Sequence, residues 1–183
     1  MNRTVLFLIL LFTVFLQCKQ VNAQASEYRL KAVFLERFTR FIEWPEKTSI
    51  SDTSKPFVIK IIGKNPFGDV LETIYSKTKI KNKPVKIYYI SSLEEIEDCQ
   101  ILFIATSMES SLQQILKYTN EKPILTISDH QGFGQRGVII NFFIENNKVR
   151  FEINEKSLNQ SGLYMSYLLL NVATVLKEEG DDK

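Results

Sequence analysis

The chain has one histidine, and it sits in the run Ser128-Asp129-His130. Serine, carboxylate and imidazole are the residue types of acyl-transfer catalysis. Their spacing argues against a local triad, because successive residues of a strand point to opposite faces and the three side chains would diverge. A distant Ser or Asp converging on His130 is the remaining catalytic reading. One histidine and one mature cysteine, Cys99, cannot build a thiolate–imidazole zinc site. The run "GFGQRG" (132–137) has the glycine pattern of dinucleotide sites. Such glycines must follow a first strand and open a helix whose amide-rich end holds the pyrophosphate. Here they precede a strand, so they are expected to serve backbone turns. "GKNPFG" (63–68) begins like a phosphate loop, but Asp69 stands where the phosphate lysine belongs. The pairs Glu94-Glu95 and Glu178-Glu179 are adjacent on helical segments and diverge. No catalytic, cofactor or metal site is expected, and the chain is read as a non-enzyme.

The elements that would carry these residues begin after a leader. Arg3 is followed by an apolar run from Val5 to Leu16, and Val21-Asn22-Ala23 offers small residues before a cut. This is the layout of a secretory signal peptide, too short to span a bilayer. Residues 1–23 are therefore expected to be removed, leaving 24–183 as a single domain with no further membrane span. Cys18 lies where a lipoprotein cysteine would, but Phe15-Leu16-Gln17 is a poor lead-in, so plain cleavage is preferred. Removing Arg3 and Lys19 brings the 23 basic residues level with the 21 acidic ones, which gives no reason to expect nucleic acid as a partner. Loss of Cys18 leaves Cys99 alone. It cannot form an internal disulfide; it is either buried and inert or available for an intermolecular redox bond.

Downstream, strand and helix patterns alternate. "PFVIKIIG" (56–63), "VKIYYI" (85–90), "QILFIAT" (100–106) and "PILTISD" (123–129) read as strands. Between them, 67–78, a short "SLEEIEDC" with Ser91 or Ser92 as cap, and 108–120 read as helices. The alternation predicts an α/β fold: a three-layer sandwich with a mostly parallel sheet flanked by helices. "GVIINFFIENNKVRFEIN" leaves room only for a short turn, so Val138–Ile144 and Val149–Asn154 are predicted as an antiparallel hairpin. The mostly apolar 157–179 reads as a closing helix broken near Gly162.

"RLKAVFLERFTRFIEWP" (29–45) reads as an amphipathic helix that Pro45 stops. Its apolar arc is broader than one sheet contact needs. Phe38, Phe41, Trp44 and Pro45 are therefore candidates for contact with a partner, since large aromatic residues are over-represented at interface hot spots. Trp44 can equally belong to the core.

Four segments taken together resemble the YfiR family of periplasmic regulators: "YRLKAVFLERFTRFIEWP" (28–45), "FVIKIIGKNPFG" (57–68), "LEEIEDCQILFIA" (93–105), and "PILTISD…FGQRGVIINFFIENNKVRFEIN" (123–154) followed by "SGLYMSYLLLNVA" (161–173). The resemblance implies a three-layer α/β domain, often a homodimer. It implies a periplasmic protein that binds the outer domain of an inner-membrane diguanylate cyclase, holds it off, and so restrains cyclic di-GMP signalling. Some members carry paired cysteines, which this chain lacks, so redox control would have to be intermolecular. The alternative is a small-molecule sensor module serving a sensor kinase or receptor, its cleft formed by the loops near Gly63–Phe67, Thr106–Ser107 and Asp129–Phe133.

Overall fold

The fold is that of a computed structural model, which describes residues 24–46 and 48–177. The predicted leader and Cys18 lie outside the described residues. Helix α1 covers 24–39. It is followed by β1 (Ile42–Glu43), β2 (Phe57–Ile62), α2 (Val70–Tyr75), β3 (Lys79–Ile80), β4 (Lys83–Ile90), β5 (Ile101–Ile104), α3 (Leu112–Thr119), β6 (Leu125–Ser128), β7 (Ile140–Glu145) and β8 (Lys148–Asn154). The chain closes with α4 (Glu155–Ser161), β9 (Tyr164–Met165), α5 (Tyr167–Leu170) and β10 (Thr174–Leu176). Short 3-10 helices stand at Glu94–Ile96 and Thr106–Ser111.

The main sheet has the order β10-β8-β7-β6-β5-β2-β4-β3. Strands β4, β2, β5, β6 and β7 are mutually parallel, and β7–β8 is the antiparallel hairpin. The period-2 alternation of each strand splits the core in two. Ile59, Ile61, Ile101, Phe103, Leu125 and Ile127 face α1 and α2, together with Leu35 and Phe38. Ile62, Leu102 and Ile104 face the opposite layer, against Ile96, Leu112, Ile115 and Phe133. A strand buried on both faces reads as a continuous apolar run, as "ILFI" does. The three-layer α/β sandwich is the observed architecture.

Three elements depart from their sequence pattern. Helix α1 stops at residue 39, short of Trp44-Pro45. The amides of Arg40 and Phe41 bond three residues back, to Arg37 and Phe38, which tightens the last turn. Ile42 and Glu43 then pair with Met165 and Tyr164 of β9, and the Ser166 amide donates to Phe41 O at 2.8 Å. Ile42 and Trp44 are both buried and Glu43 between them is exposed, which is a strand period and not a helical one.

The closing segment is not one helix. Asn154 Oδ1 caps α4 by accepting from the Ser157 amide at 2.8 Å, and Gly162 ends it at φ 71. The rest becomes β9, α5 and β10, and β10 adds to β8 in parallel through Thr174, Val175 and Leu176. The third departure is the β3–β4 hairpin, absent from the sequence pattern. It turns through Lys81 and Asn82, both at positive φ, as Asn146 and Asn147 do between β7 and β8. The hairpin itself is shorter at its start than Val138–Ile144, because the Val138 and Ile139 amides donate to Phe133 O and Thr126 Oγ1.

Candidate functional site

Ser128, Asp129 and His130 leave the end of β6 in three directions. Ser128 Oγ donates to Ile104 O at 2.7 Å. The Asp129 carboxylate turns to Lys31 on α1, 2.7 Å away. The His130 ring lies edge-on to Phe133, with Nε2 3.6 Å from Glu109. The local triad is thus not assembled.

Lys31 and Asp129 form a buried ion pair, which Glu27 joins at 2.5 Å from Nζ. The Tyr28 ring lies 4.5 Å from the same ammonium and meets Phe67 edge-on at 5.3 Å. Burial, then the hydrogen bond to Asp129, hold the Tyr28 hydroxyl above its ordinary pKa. This cluster fastens α1 to the C-terminal ends of β2 and β6. In open α/β sheets those strand ends are where ligands bind. Here they close on themselves. Gly63, at φ +95, lets Ser107 and Met108 come so near that an added Cβ would stand 2.6 and 2.7 Å from them. The Lys64 amide donates to Ser107 Oγ at 2.8 Å. Of the three loops expected to line a cleft, those at Gly63–Phe67 and Thr106–Ser107 pack against one another.

The glycine run 132–137 has a structural occupation. Gly134 lies against the Glu152 carboxylate so closely that a Cβ would overlap it. Asn141 Nδ2 donates to His130 O and Glu152 Oε1, Gln135 Nε2 to Glu152 Oε2, and Asn154 Nδ2 to Gly134 O. The hairpin β7–β8 therefore clamps this loop with polar side chains. Among the described residues no group of three His, Cys, Asp or Glu is placed to hold a metal ion.

The partner candidates divide by depth. Phe38 is 1 % exposed, stacked on Phe142 at 5.6 Å and edge-on to Phe151 at 4.9 Å. Trp44 is 7 % exposed and meets Phe57 edge-on at 5.6 Å; its indole N–H has no acceptor among the described residues. Phe41 is half-buried and Pro45 exposed. The β1–β9 ladder sets Tyr164 opposite Glu43. It thereby joins the end of α1 to a run of large exposed side chains: Tyr164, Tyr167, Leu168 and Val172. Leu163, Met165 and Leu169 of the same segment are buried. Sequence reasoning missed this surface because it read 157–179 as a closing helix broken near Gly162. The available signal was a run apolar on more faces than one sheet contact can cover.

Cys99 is buried, and its thiol donates to Ile96 O at 3.2 Å. Burial pushes its pKa up to about 12. Little thiolate forms at neutral pH, and the sulfur is shielded from an intermolecular bond in this conformation.

A family model described as DUF4154, YfiR/HmsC-like, matches residues 28–174. The chain belongs to that family. The YfiR/HmsC-like match runs from Tyr28, within α1, to Thr174, the first residue of β10. No curated protein matches the chain by sequence. Among solved structures, it is similar to the ABC domain in complex with L-Trp from Streptococcus pneumonia, with TM-score 0.50, 9 % identity, and 66 % of this chain and 55 % of that one covered. It is also similar to a conserved domain protein from Vibrio cholerae O1 biovar eltor, with TM-score 0.51, 10 % identity, and 66 % and 54 % covered. The chain thus spans about half the length of each. Likeness at this identity concerns the α/β fold alone. Among the described residues of this YfiR/HmsC-like chain, no helix is long and apolar enough to cross a membrane.

Proposed function

We propose that this chain is a periplasmic regulatory protein that works by binding. In this reading residues 1–23 export it, and it engages the outer domain of an inner-membrane signalling protein of the diguanylate cyclase type. The observation that carries the reading is the exposed apolar run Tyr164, Tyr167, Leu168 and Val172, joined to the end of α1 at Phe41 by the β1–β9 ladder and the Ser166 amide. Large exposed side chains clustered on an ordered frame suit a protein interface. Membership of the YfiR/HmsC-like family supports the choice of partner. Phe38 and Trp44 are buried in the core against Phe142, Phe151 and Phe57, and in this reading they serve the frame and not the contact. The mechanism is a population shift: the partner's inactive state binds this protein better, so binding favours that state.

The test is affinity capture from solubilised membranes with the native chain and with Tyr167→Ala/Leu168→Ala, together with cyclic di-GMP measured on deletion. Capture of an inner-membrane cyclase by the native chain only, with cyclic di-GMP rising on deletion, is expected. Failure to recover any inner-membrane protein, with cyclic di-GMP unchanged, rejects the reading. A cleft of about 440 Å³ between α3 and α4, lined by Gln113, Lys117, Gln135, Asn154, Ser157 and Gln160 among others, favours a second reading, a sensor of a small polar ligand. A thermal-shift screen of small polar metabolites separates the two.

A further inference from the structure

The far edge of the main sheet is open. Strand β4 pairs with β2 from Val85 to Ile90, but on its other side β3 pairs only with Lys83 and Pro84. Among the described residues no strand covers 85–90 on that side. The Gly63 amide donates to Ile90 O at 3.1 Å, so Ile90 turns its main-chain groups to β2. In a parallel pair this role alternates, so Lys86 and Tyr88 do the same, and Val85, Ile87 and Tyr89 turn their N–H and C=O outward. Helix α2 stands beside this edge. A groove of about 380 Å³ runs between Glu72, Tyr75 and Ser76 of α2 and residues 85–88 of β4. An exposed row of main-chain donors and acceptors flanked by a helix is the arrangement that accepts an added strand.

The charge beside the groove selects the occupant. From Thr73 to Leu93 the chain carries five lysines and no acidic residue. Lys83 is buried, its ammonium donating to the carbonyls of Ser49, Asp52 and Lys55. Lys77, Lys79, Lys81 and Lys86 are exposed; Lys86 lines the groove, and the other three lie on the chain between α2 and β4. The acid on its wall, Glu72, accepts from the Tyr89 hydroxyl at 2.6 Å. Exposed lysines on an edge repel a second copy presenting the same edge. They attract a strand of opposite charge. We infer that the outer edge of β4 and its groove with α2 take up an extended, acidic segment of a partner protein by strand addition. This edge and β10, which follows the exposed run at 164–172, lie at opposite ends of the sheet, so the inference stands apart from the docking surface proposed above.

The test uses the full chain, backbone-amide exchange, and a labelled peptide of alternating Asp and Val. Two controls replace Asp with Lys or carry N-methyl groups on alternate residues. In the free protein the amides of Val85, Ile87 and Tyr89 should exchange fast and those of Lys86, Tyr88 and Ile90 slowly. The Asp–Val peptide should slow exchange at the first three and bind at least about tenfold more tightly than either control. Lys79→Glu/Lys86→Glu should weaken it by at least about tenfold with an unchanged melting temperature. Equal binding of the N-methylated peptide, or of an oligo-dA probe, would reduce the site to a general polyanion attractor and overturn the inference. So would protection of those amides that rises with protein concentration alone, which would assign the edge to a second copy. Unchanged exchange with the Asp–Val peptide overturns it outright.

Discussion

Trp44 and Tyr167 stand at opposite extremes of exposure on neighbouring elements. Trp44 is 7 % exposed and Tyr167 66 %. Truncating each should therefore have different consequences. Trp44→Ala empties a site against Phe57 and should cost about 3–5 kcal/mol, read as a lower urea midpoint. Tyr167→Ala and Leu168→Ala should each change stability by less than about 0.5 kcal/mol. Both should nonetheless weaken capture of the membrane partner by at least about tenfold. Cys99 and Tyr75 make a prediction about alkaline pH. Burial raises the pKa of both above their ordinary values, so the native state holds their protons more tightly than the unfolded state does. That stabilisation is complete below the ordinary values and is lost as pH rises through the raised ones. For Cys99 the window runs from about 9 to about 12. Urea midpoints should fall across it, and less steeply in Cys99→Ala. A thiol reagent at neutral pH should label Cys99 only after denaturant is added.

Elements are held to one another here by side chains that bond distant main chain. Lys83 gathers carbonyls from the loop 48–55. Gln100 accepts from the Val58 amide at 2.7 Å and donates to Ser49 at 2.8 Å. Lys83→Met should free that loop: limited proteolysis should cut within 48–55 well before the native chain is cut, while the sheet persists by circular dichroism. Asn154 both caps α4 and donates to Gly134 O. Asn154→Ala should cost about 1–3 kcal/mol, combining a lost cap with an unsatisfied carbonyl. None of these bonds was legible in the sequence, because a single Lys, Gln or Asn carries no period that names its partner. The longer strands β2, β4, β5, β6, β7 and β8 were legible from their β-branched and apolar runs, whereas the two- and three-residue strands β1, β3, β9 and β10 were too short to show a period. The turn Asn146-Asn147 was legible as well. The helix α1 was legible along most of its length but not at its end. Helical and strand periods overlap over Phe41 to Trp44, and only the partner strand β9 resolves them.

The whole molecule depends on how α1 is fastened. Its apolar face covers the sheet through Leu35 and Phe38, and its polar anchor is Lys31 on Asp129. Removing one member of a buried pair leaves the other charge uncompensated, which costs more than the pair itself contributes. Lys31→Met should destabilise by about 3–5 kcal/mol, and Lys31→Met/Asp129→Asn should recover much of the loss in urea unfolding. Because Tyr28 and Phe67 meet beside the pair, the single variant should also loosen the loop 63–68, seen as faster amide exchange there.

The sequence by itself determined the class of the fold, the parallel strands β2, β4, β5 and β6, and the β7–β8 hairpin. Each of those follows from local hydrophobic period and turn chemistry, which a segment carries wherever it is placed. The divergence of Ser128, Asp129 and His130 was set in space, by Ile104 O, Lys31 and Glu109, because β6 ends at Ser128 and strand alternation does not extend to the other two. Only the tertiary structure decided that Trp44 is buried, that 164–176 divides into strand, helix and strand, and that the loops after β2 and β5 pack on each other at Gly63 and Ser107. Those outcomes depend on which distant surface covers each residue: β9 for Ile42, β8 for Val175, and Met108 for Gly63. A side chain's burial is a property of its neighbours in space, and local sequence does not name them.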